Sequence, residues 1–203
     1  MSGTNEQVLA WLKNAEDLTI FAHVSPDGDT IGSSLALWHA LGRQAQLVCE
    51  DPIPEKYAFL PGAQAFVLPA GARASAYALA VDAADAGRLG AARALFEAAA
   101  HTAVIDHHGT NPGYAQVCRV EPELGATGTL VREILRDGGW QVDADIALCL
   151  YVAISTDTGN FSFSSTKRRD MLAVADLVEM FDLAETTRKL FRMKRKEHTL
   201  LLG

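Results

Sequence analysis

Short apolar runs bounded by turn residues alternate along this chain with longer segments whose apolar residues recur at helical spacing. Strands crossed over by helices produce that alternation, because each strand must be carried back to the start of the next before it can pair in parallel. The expected fold class is therefore α/β: a mostly parallel five-stranded sheet flanked by helices. The predicted strands are Leu18 to His23, Ala45 to Cys49, Tyr77 to Asp82, Thr102 to Asp106 and Gln116 to Val120, with connecting helices opening near Thr30 and Arg88. After Gly125 the pattern turns helical, with periodic segments at Thr129 to Leu135, Ala144 to Ile154, Met171 to Met180 and Glu185 to Met193 that read as helices packed on the sheet. The alanine-rich stretch Ala91 to Ala100 reads as a plain surface helix, alanine being the strongest helix former.

With 203 residues, 49% of them hydrophobic, the chain can bury one sizeable core. Its formal net charge of -7 argues against electrostatic binding of long nucleic acid, which needs a basic surface to displace condensed counterions. A small anionic substrate held through metal ions stays compatible with that charge. Cys49, Cys118 and Cys149 are far apart, lie in apolar runs and form no Cys-x-x-Cys pair, so they read as reduced core residues. The start of the chain has no leader pattern and no run is long enough to span a bilayer, which places the protein in the cytoplasm and off the membrane.

Several apolar runs end in side chains that rarely enter a core. His23-Val24-Ser25-Pro26-Asp27-Gly28-Asp29-Thr30-Ile31-Gly32-Ser33 follows the first strand and opens the first helix, where α/β proteins bind ligands. Pro26 and Gly28 turn the loop sharply, which lets His23, Asp27 and Asp29 converge. Gly32 and Ser33 leave room for close packing or for a phosphate at the helix start. Read alone, the Asp-Gly-Asp also suits an ordinary loop in which Asp29 caps the helix. Val104-Ile105-Asp106-His107-His108 ends a strand in three polar groups whose burial is costly unless they are paired or coordinated. Asp82 and Asp157 end apolar runs in the same fashion. Asp85 competes with Asp82, but Ala86-Gly87-Arg88 beside it suggests a loop residue or helix cap. The candidates His23, Asp27, Asp29, Asp82, His107 and Asp157 mix imidazole with carboxylate, a donor set suited to two divalent ions such as manganese.

His-x-x-Pro-Asp-Gly-Asp-x-x-Gly-Ser, then Val-Asp, then Asp-His-His, then Thr-Asp-Thr-Gly, in that order between about Leu18 and Phe163, resembles the four motifs of the DHH phosphoesterases. The closer likeness is to the bacterial nanoRNase and pAp phosphatase group. The resemblance implies a phosphoesterase with two manganese ions, magnesium or cobalt being substitutes, acting on a small nucleotide or short oligonucleotide. It implies that His23 and Asp27 hold one ion, that Asp29, His107 and Asp157 hold the other, and that Asp82 bridges them. His108 would contact the scissile phosphate or assist the leaving group, Asp106 would orient its neighbours, and Ser33 and Thr158 would at most support. Assembly as a homodimer is left open.

Two departures from the family pattern stand out. Relatives carry a second, smaller domain with a Gly-Gly-Gly-His signature that this chain lacks, so residues 1–183 are expected to be the catalytic domain and 184–203 the start of a linker helix. Asn160 stands where relatives more often have glycine. The basic residues Arg188, Lys189, Arg192, Lys194, Arg195 and Lys196 read as a solvated helix face, with phosphate contact as the competing role. A cyclic di-AMP or pApA phosphodiesterase is the nearest rival function. A family II pyrophosphatase is disfavoured by Gly28 between the acids, and a non-catalytic binding module by the full set of six ligands.

Overall fold

The structure is a computed structural model that describes residues 3–192, the last by its backbone alone. Lys194, Arg195, Lys196 and the Leu200 to Gly203 end lie outside the described residues. Six strands, β1 (Leu18–Phe21), β2 (Gln46–Val48), β3 (Phe66–Val67), β4 (Tyr77–Val81), β5 (His101–Asp106) and β6 (Val117–Val120), form one sheet in the order β3-β2-β1-β4-β5-β6. Every pairing is parallel. Five of the strands fall where the sequence places them. The sixth, β3, corrects the expected five-stranded sheet: it is two residues long and sits between 3-10 turns at Ala63–Ala65 and Pro69–Gly71, too short for alternation to show.

Side chains alternate across the sheet as the pleat requires. Ile20, Leu47, Leu79, Val81, Ala103 and Ile105 face one layer, built from α1 (Asn5–Asn14), α2 (Gly28–Ala40), α4 (Thr127–Asp137), α5 (Ala144–Asp157) and α6 (Arg168–Ala175). Phe21, Val48, Ala78, Ala80 and Val104 face the other, where Leu89, Ala92 and Phe96 cover them. Both faces being covered explains the near-continuous apolar reading of the strands.

That second layer is thinner than the alanine-rich sequence suggests. Asp85 caps a 3-10 segment, Ala86–Ala92, by accepting from Gly87 N and Arg88 N, and α3 proper covers only Arg93–Ala98. Gly90 breaks the continuity with φ 55 and ψ -133, a left-handed geometry, and Phe96 turns the expected surface helix into a half-buried one. Likewise α6 opens before Met171, because Asp170 accepts from Lys167 N and caps the helix, and it stops at Ala175 rather than Met180.

The last described segment, α7 (Leu183–Thr187) and a wider turn at Arg188–Arg192, rests on the domain. Thr186 is buried, Leu190 packs against the main core and Tyr151 Oη lies 3.0 Å from Thr187 Oγ1. Arg188 pairs with Glu185 at 2.7 Å, and Lys189 lies over the Phe59 ring, so these two basic residues are used locally. No helix among the described residues is long and apolar enough to cross a membrane.

Candidate metal centre

The chain runs from β1 outward to β2 and β3, then returns to build β4, β5 and β6 on the other side of β1. The strand order therefore reverses between β1 and β4. Ligands of open α/β sheets sit at the carboxyl ends of the strands flanking such a reversal. His23 follows β1 and Asp82 follows β4, so the topology alone sets these two side by side.

Three overlapping groups of side chains meet there: His23, Asp27 and Asp82; Asp29, His107 and Asp157; and Asp82, His107 and His108. All six residues singled out as ligands are thus brought together. Asp82 stands between the two main groups, with Oδ2 3.6 Å from His23 Nε2 and Oδ1 3.7 Å from His107 Nε2. His23 Nε2 also lies 3.6 Å from Asp27 Oδ1, and His107 Nε2 lies 3.2 Å from Asp157 Oδ2.

Both imidazoles turn the same edge inward. His23 Nδ1 is 2.7 Å from Val24 O and His107 Nδ1 is 3.1 Å from Leu124 O. Nδ1–H donating to a carbonyl leaves the Nε2 lone pair aimed at the carboxylates, the tautomer a metal-binding histidine needs. The donor set fits divalent cations on this ground. Asp82 holds its place in a left-handed backbone conformation, φ 59, which costs a non-glycine residue about 1–2 kcal/mol. Its amide donates to Ile105 O and its carboxylate accepts from Thr127 Oγ1 at 2.8 Å, so neighbouring strands and helices hold the strained residue fixed.

Asp29 does not cap α2; Asp27 does, accepting from Asp29 N and Thr30 N. Asp29 is instead wholly buried and reaches across to the start of α4, where it accepts from Thr127 N at 2.6 Å and Gly128 N at 2.8 Å, with Ser33 Oγ 3.0 Å away. Ala126 has no side chain with which to cap α4, so a carboxylate from another helix satisfies its first amides. The segment Gly125 to Thr129 is a part of the site that sequence reasoning missed. It is held from behind by Asp170, fully buried, which accepts from Gly125 N and from Thr129 Oγ1. Small uncharged residues before a helix lacking a cap were the available signal. Thr30 was missed as well: its hydroxyl donates to Val81 O and accepts from His23 N, tying the ends of β1 and β4 together.

Burial pushes Asp29 well above the usual carboxylate range, with Asp82 adding repulsion, and burial raises Asp82 too. Burial alone would lower His23, but its hydrogen bonds to Asp27 and Asp82 outweigh it and lift the ring to about 10. His107 likewise reaches about 10 against its burial, through Asp157, Asp29 and Asp82. Packed carboxylates thus demand positive charge between them, whether protons or cations supply it.

His108 and Asp106 form a separate unit at the rim. Asp106 is buried and accepts from His107 N at 2.8 Å and Asn111 Nδ2 at 2.7 Å, while His108 Nδ1 lies 2.6 Å from its Oδ1. That hydrogen bond raises His108 above its ordinary value and the same pairing, against burial, lowers Asp106. Ser33 supports Asp29, as above, while Thr158 bonds Ile154 O and Phe161 N to close the turn after α5. In that turn Gly159, Asn160 and Phe161 all have positive φ, and asparagine is the non-glycine type that tolerates it best. A cleft of about 300 Å³ opens beside Asp27 and Asp157, walled by Lys56, Tyr57, Thr156, Leu190 and Phe191.

The sequence profile of the DHH family, N-terminal domain, matches residues 17–154. The chain is 36% identical over 180 residues to the bifunctional oligoribonuclease and PAP phosphatase NrnA of Thermus thermophilus, covering 84% of this chain and 52% of that protein. It is 23% identical over 192 residues to the Bacillus subtilis protein of the same name, covering 88% of this chain and 58% of that one. An exopolyphosphatase-related protein from Bacteroides fragilis shares the fold, with a TM-score of 0.90, 24% identity, and coverage of 98% of this chain and 63% of that one. The chain therefore spans a little over half the length of these curated relatives. From the match over residues 17–154 and the strand-end motifs it contains, the chain belongs to the DHH family.

Proposed function

We propose that this chain carries the catalytic site of a manganese-dependent phosphoesterase that cleaves short oligoribonucleotides and removes the 3′-phosphate of 3′-phosphoadenosine 5′-phosphate. The observation that carries the reading is Asp82, whose two carboxylate oxygens each face a different histidine-carboxylate group. On this reading His23 and Asp27 hold one ion, Asp29, His107 and Asp157 hold the second, and Asp82 is shared. Two divalent ions so held activate a water and neutralise charge on the departing oxygen. The Nδ1 contacts to Val24 O and Leu124 O orient the imidazoles so that Nε2 is the atom offered to an ion once its proton is displaced. His108, oriented by buried Asp106, whose hydrogen bond raises its pKa, is the group placed to hydrogen-bond the phosphate or give a proton to the leaving oxygen. The cleft beside Asp27 and Asp157 offers Lys56 for an anion and Phe191 for a base. The likeness to the Thermus protein supports the substrate class.

The test is hydrolysis of pAp, short RNA, pApA, cyclic di-AMP and a nitrophenyl phosphodiester by the metal-stripped chain with manganese, magnesium or cobalt added back. Manganese should be most effective, with measurable turnover of the nitrophenyl diester and preference for pAp and short RNA among the nucleotides. Full activity in a chain proved metal-free by mass spectrometry, or no divalent binding at all, would refute the proposal. Preference for the cyclic dinucleotide or pApA would move the substrate to the rival class.

A further inference from the structure

We infer that Arg88 grips the substrate, its guanidinium contacting non-bridging oxygens of the phosphate group presented at this site. The inference rests on the phosphoesterase reading and adds to it a residue outside the ligand set. Arg88 lies in the 3-10 segment that follows β4, and its backbone is fixed at both ends: its amide donates to the Asp85 carboxylate at 3.2 Å and its carbonyl accepts from Val24 N at 2.8 Å. Two residues on, Gly90 has φ 55 and lies against the side chains of Glu50 and Val24, and Ala91 N donates to the Glu50 carboxylate at 2.8 Å, which ties the segment down beside the His23 loop. The side chain is exposed, and Nη2 sits 3.1 Å from His23 Nδ1.

That contact does not satisfy the arginine. His23 Nδ1 is closer, 2.7 Å, to Val24 O, and a ring nitrogen that donates its hydrogen to the carbonyl has no lone pair left to accept from Arg88. Most other arginines have carboxylate partners, as Arg43 has Asp145, Arg169 has Glu133 and Arg188 has Glu185, Arg168 being the other described one without an ion pair. Among the described residues Arg88 forms no ion pair, although Asp27 and Asp82 lie on the far side of the His23 ring, each 3.6 Å from Nε2. A permanently charged planar fork, anchored by its backbone and lacking an acceptor one imidazole width from the candidate metal centre, matches the geometry of a tetrahedral oxyanion. Asp85, the rival of Asp82 in the sequence, then has a use of its own, since its capping of Gly87 and Arg88 holds the turn that presents the guanidinium.

The experiment compares the full chain with Arg88→Gln and Arg88→Lys, measuring bound manganese by mass spectrometry and affinity for inorganic phosphate by calorimetry on the manganese-loaded proteins. Arg88→Gln should keep two ions per chain and bind phosphate roughly 10- to 100-fold more weakly, the worth of a charged hydrogen-bonding group. Arg88→Lys, with the charge but not the fork, should fall between. Unchanged phosphate affinity with full metal content would make Arg88 a solvated surface residue and overturn the inference. Loss of metal in step with phosphate would overturn it too, assigning Arg88 to the placement of His23. A wild-type chain that binds manganese but no phosphate sinks the Arg88 role alone, and one that binds no metal sinks the phosphoesterase reading with it.

Discussion

Gly32→Ala tests whether helix packing sets the spacing of the candidate ligands. Gly32 lies on α2 where that helix crosses α5, and a Cβ there would fall within contact distance of Cys149 O, 2.9 Å from Ala153 N and 3.0 Å from Ala153 Cβ. Most of these obstacles are backbone, so no side chain can rotate away and the helices must separate. Overpacking of that kind costs up to about 3 kcal/mol, and replacing a helical glycine by alanine returns about 1 kcal/mol. The balance is a loss of roughly 2 kcal/mol, or a melting temperature lower by roughly 4–8 °C for a chain of this size. The consequence for the site follows from what the helices carry: Asp27 and Asp29 stand at the start of α2, and Asp157 ends α5. Spreading the crossing moves Asp29 away from Asp157 and should weaken manganese binding as well as stability. Urea unfolding of the metal-stripped protein and manganese titration of the folded protein read the two effects separately. A variant at least as stable as the wild type would mean that the gain in helix propensity is unopposed and that the close approach at Gly32 does not constrain the fold.

Asp82→Ala should lower turnover at least as much as loss of any unshared candidate ligand, while Asp85→Ala, which removes a cap but no ligand, should be milder; steady-state kinetics showing the reverse order would reject the shared role of Asp82. Manganese binding should release protons at neutral pH, because His23 and His107 are both raised to about 10 before an ion displaces their protons, so affinity should climb as pH rises toward that value. Calorimetry in buffers of different ionisation enthalpy counts those protons, and a count near zero at pH 7 would contradict the raised values.

The strand ends were legible because a run such as Val104-Ile105 breaks abruptly into Asp106-His107-His108, and a polar cluster at that position has few structural uses. What α2 would do with its two acids was not legible. Asp27 and Asp29 are both good capping residues in sequence, and only the position of α4, about a hundred residues later, decides that Asp29 spends its oxygens on Thr127 and Gly128. Asp170 was hidden for the same reason: it follows two arginines just ahead of the helix expected from Met171, yet it is buried against Gly125 and Thr129. Strand β3 was hidden by its length, two residues being one period of an alternation that needs several to be seen.

These long-range contacts bear on how an anionic substrate could approach an acidic site. Once ions displace the protons held there, Asp27, Asp29, Asp82 and Asp157 supply four negative charges to the centre, and the two metal-binding imidazoles add none. With two divalent cations held as proposed, the centre is neutral overall, so the ions are committed to the protein's own carboxylates and offer a phosphate little net long-range attraction. The amides at the helix starts are also committed, since Asp27 takes those of α2 and Asp29 those of α4. Positive charge left over for the substrate must come from outside the ligand set. The groups at the rim that can supply it are His108, whose pKa the hydrogen bond to Asp106 raises, Arg88, anchored beside His23 without a carboxylate partner among the described residues, and Lys56 in the adjoining cleft. On the proposed reading chemistry and recognition are divided: the carboxylates would set the number and spacing of the ions, and the exposed cations around them would determine which anion stays long enough to react.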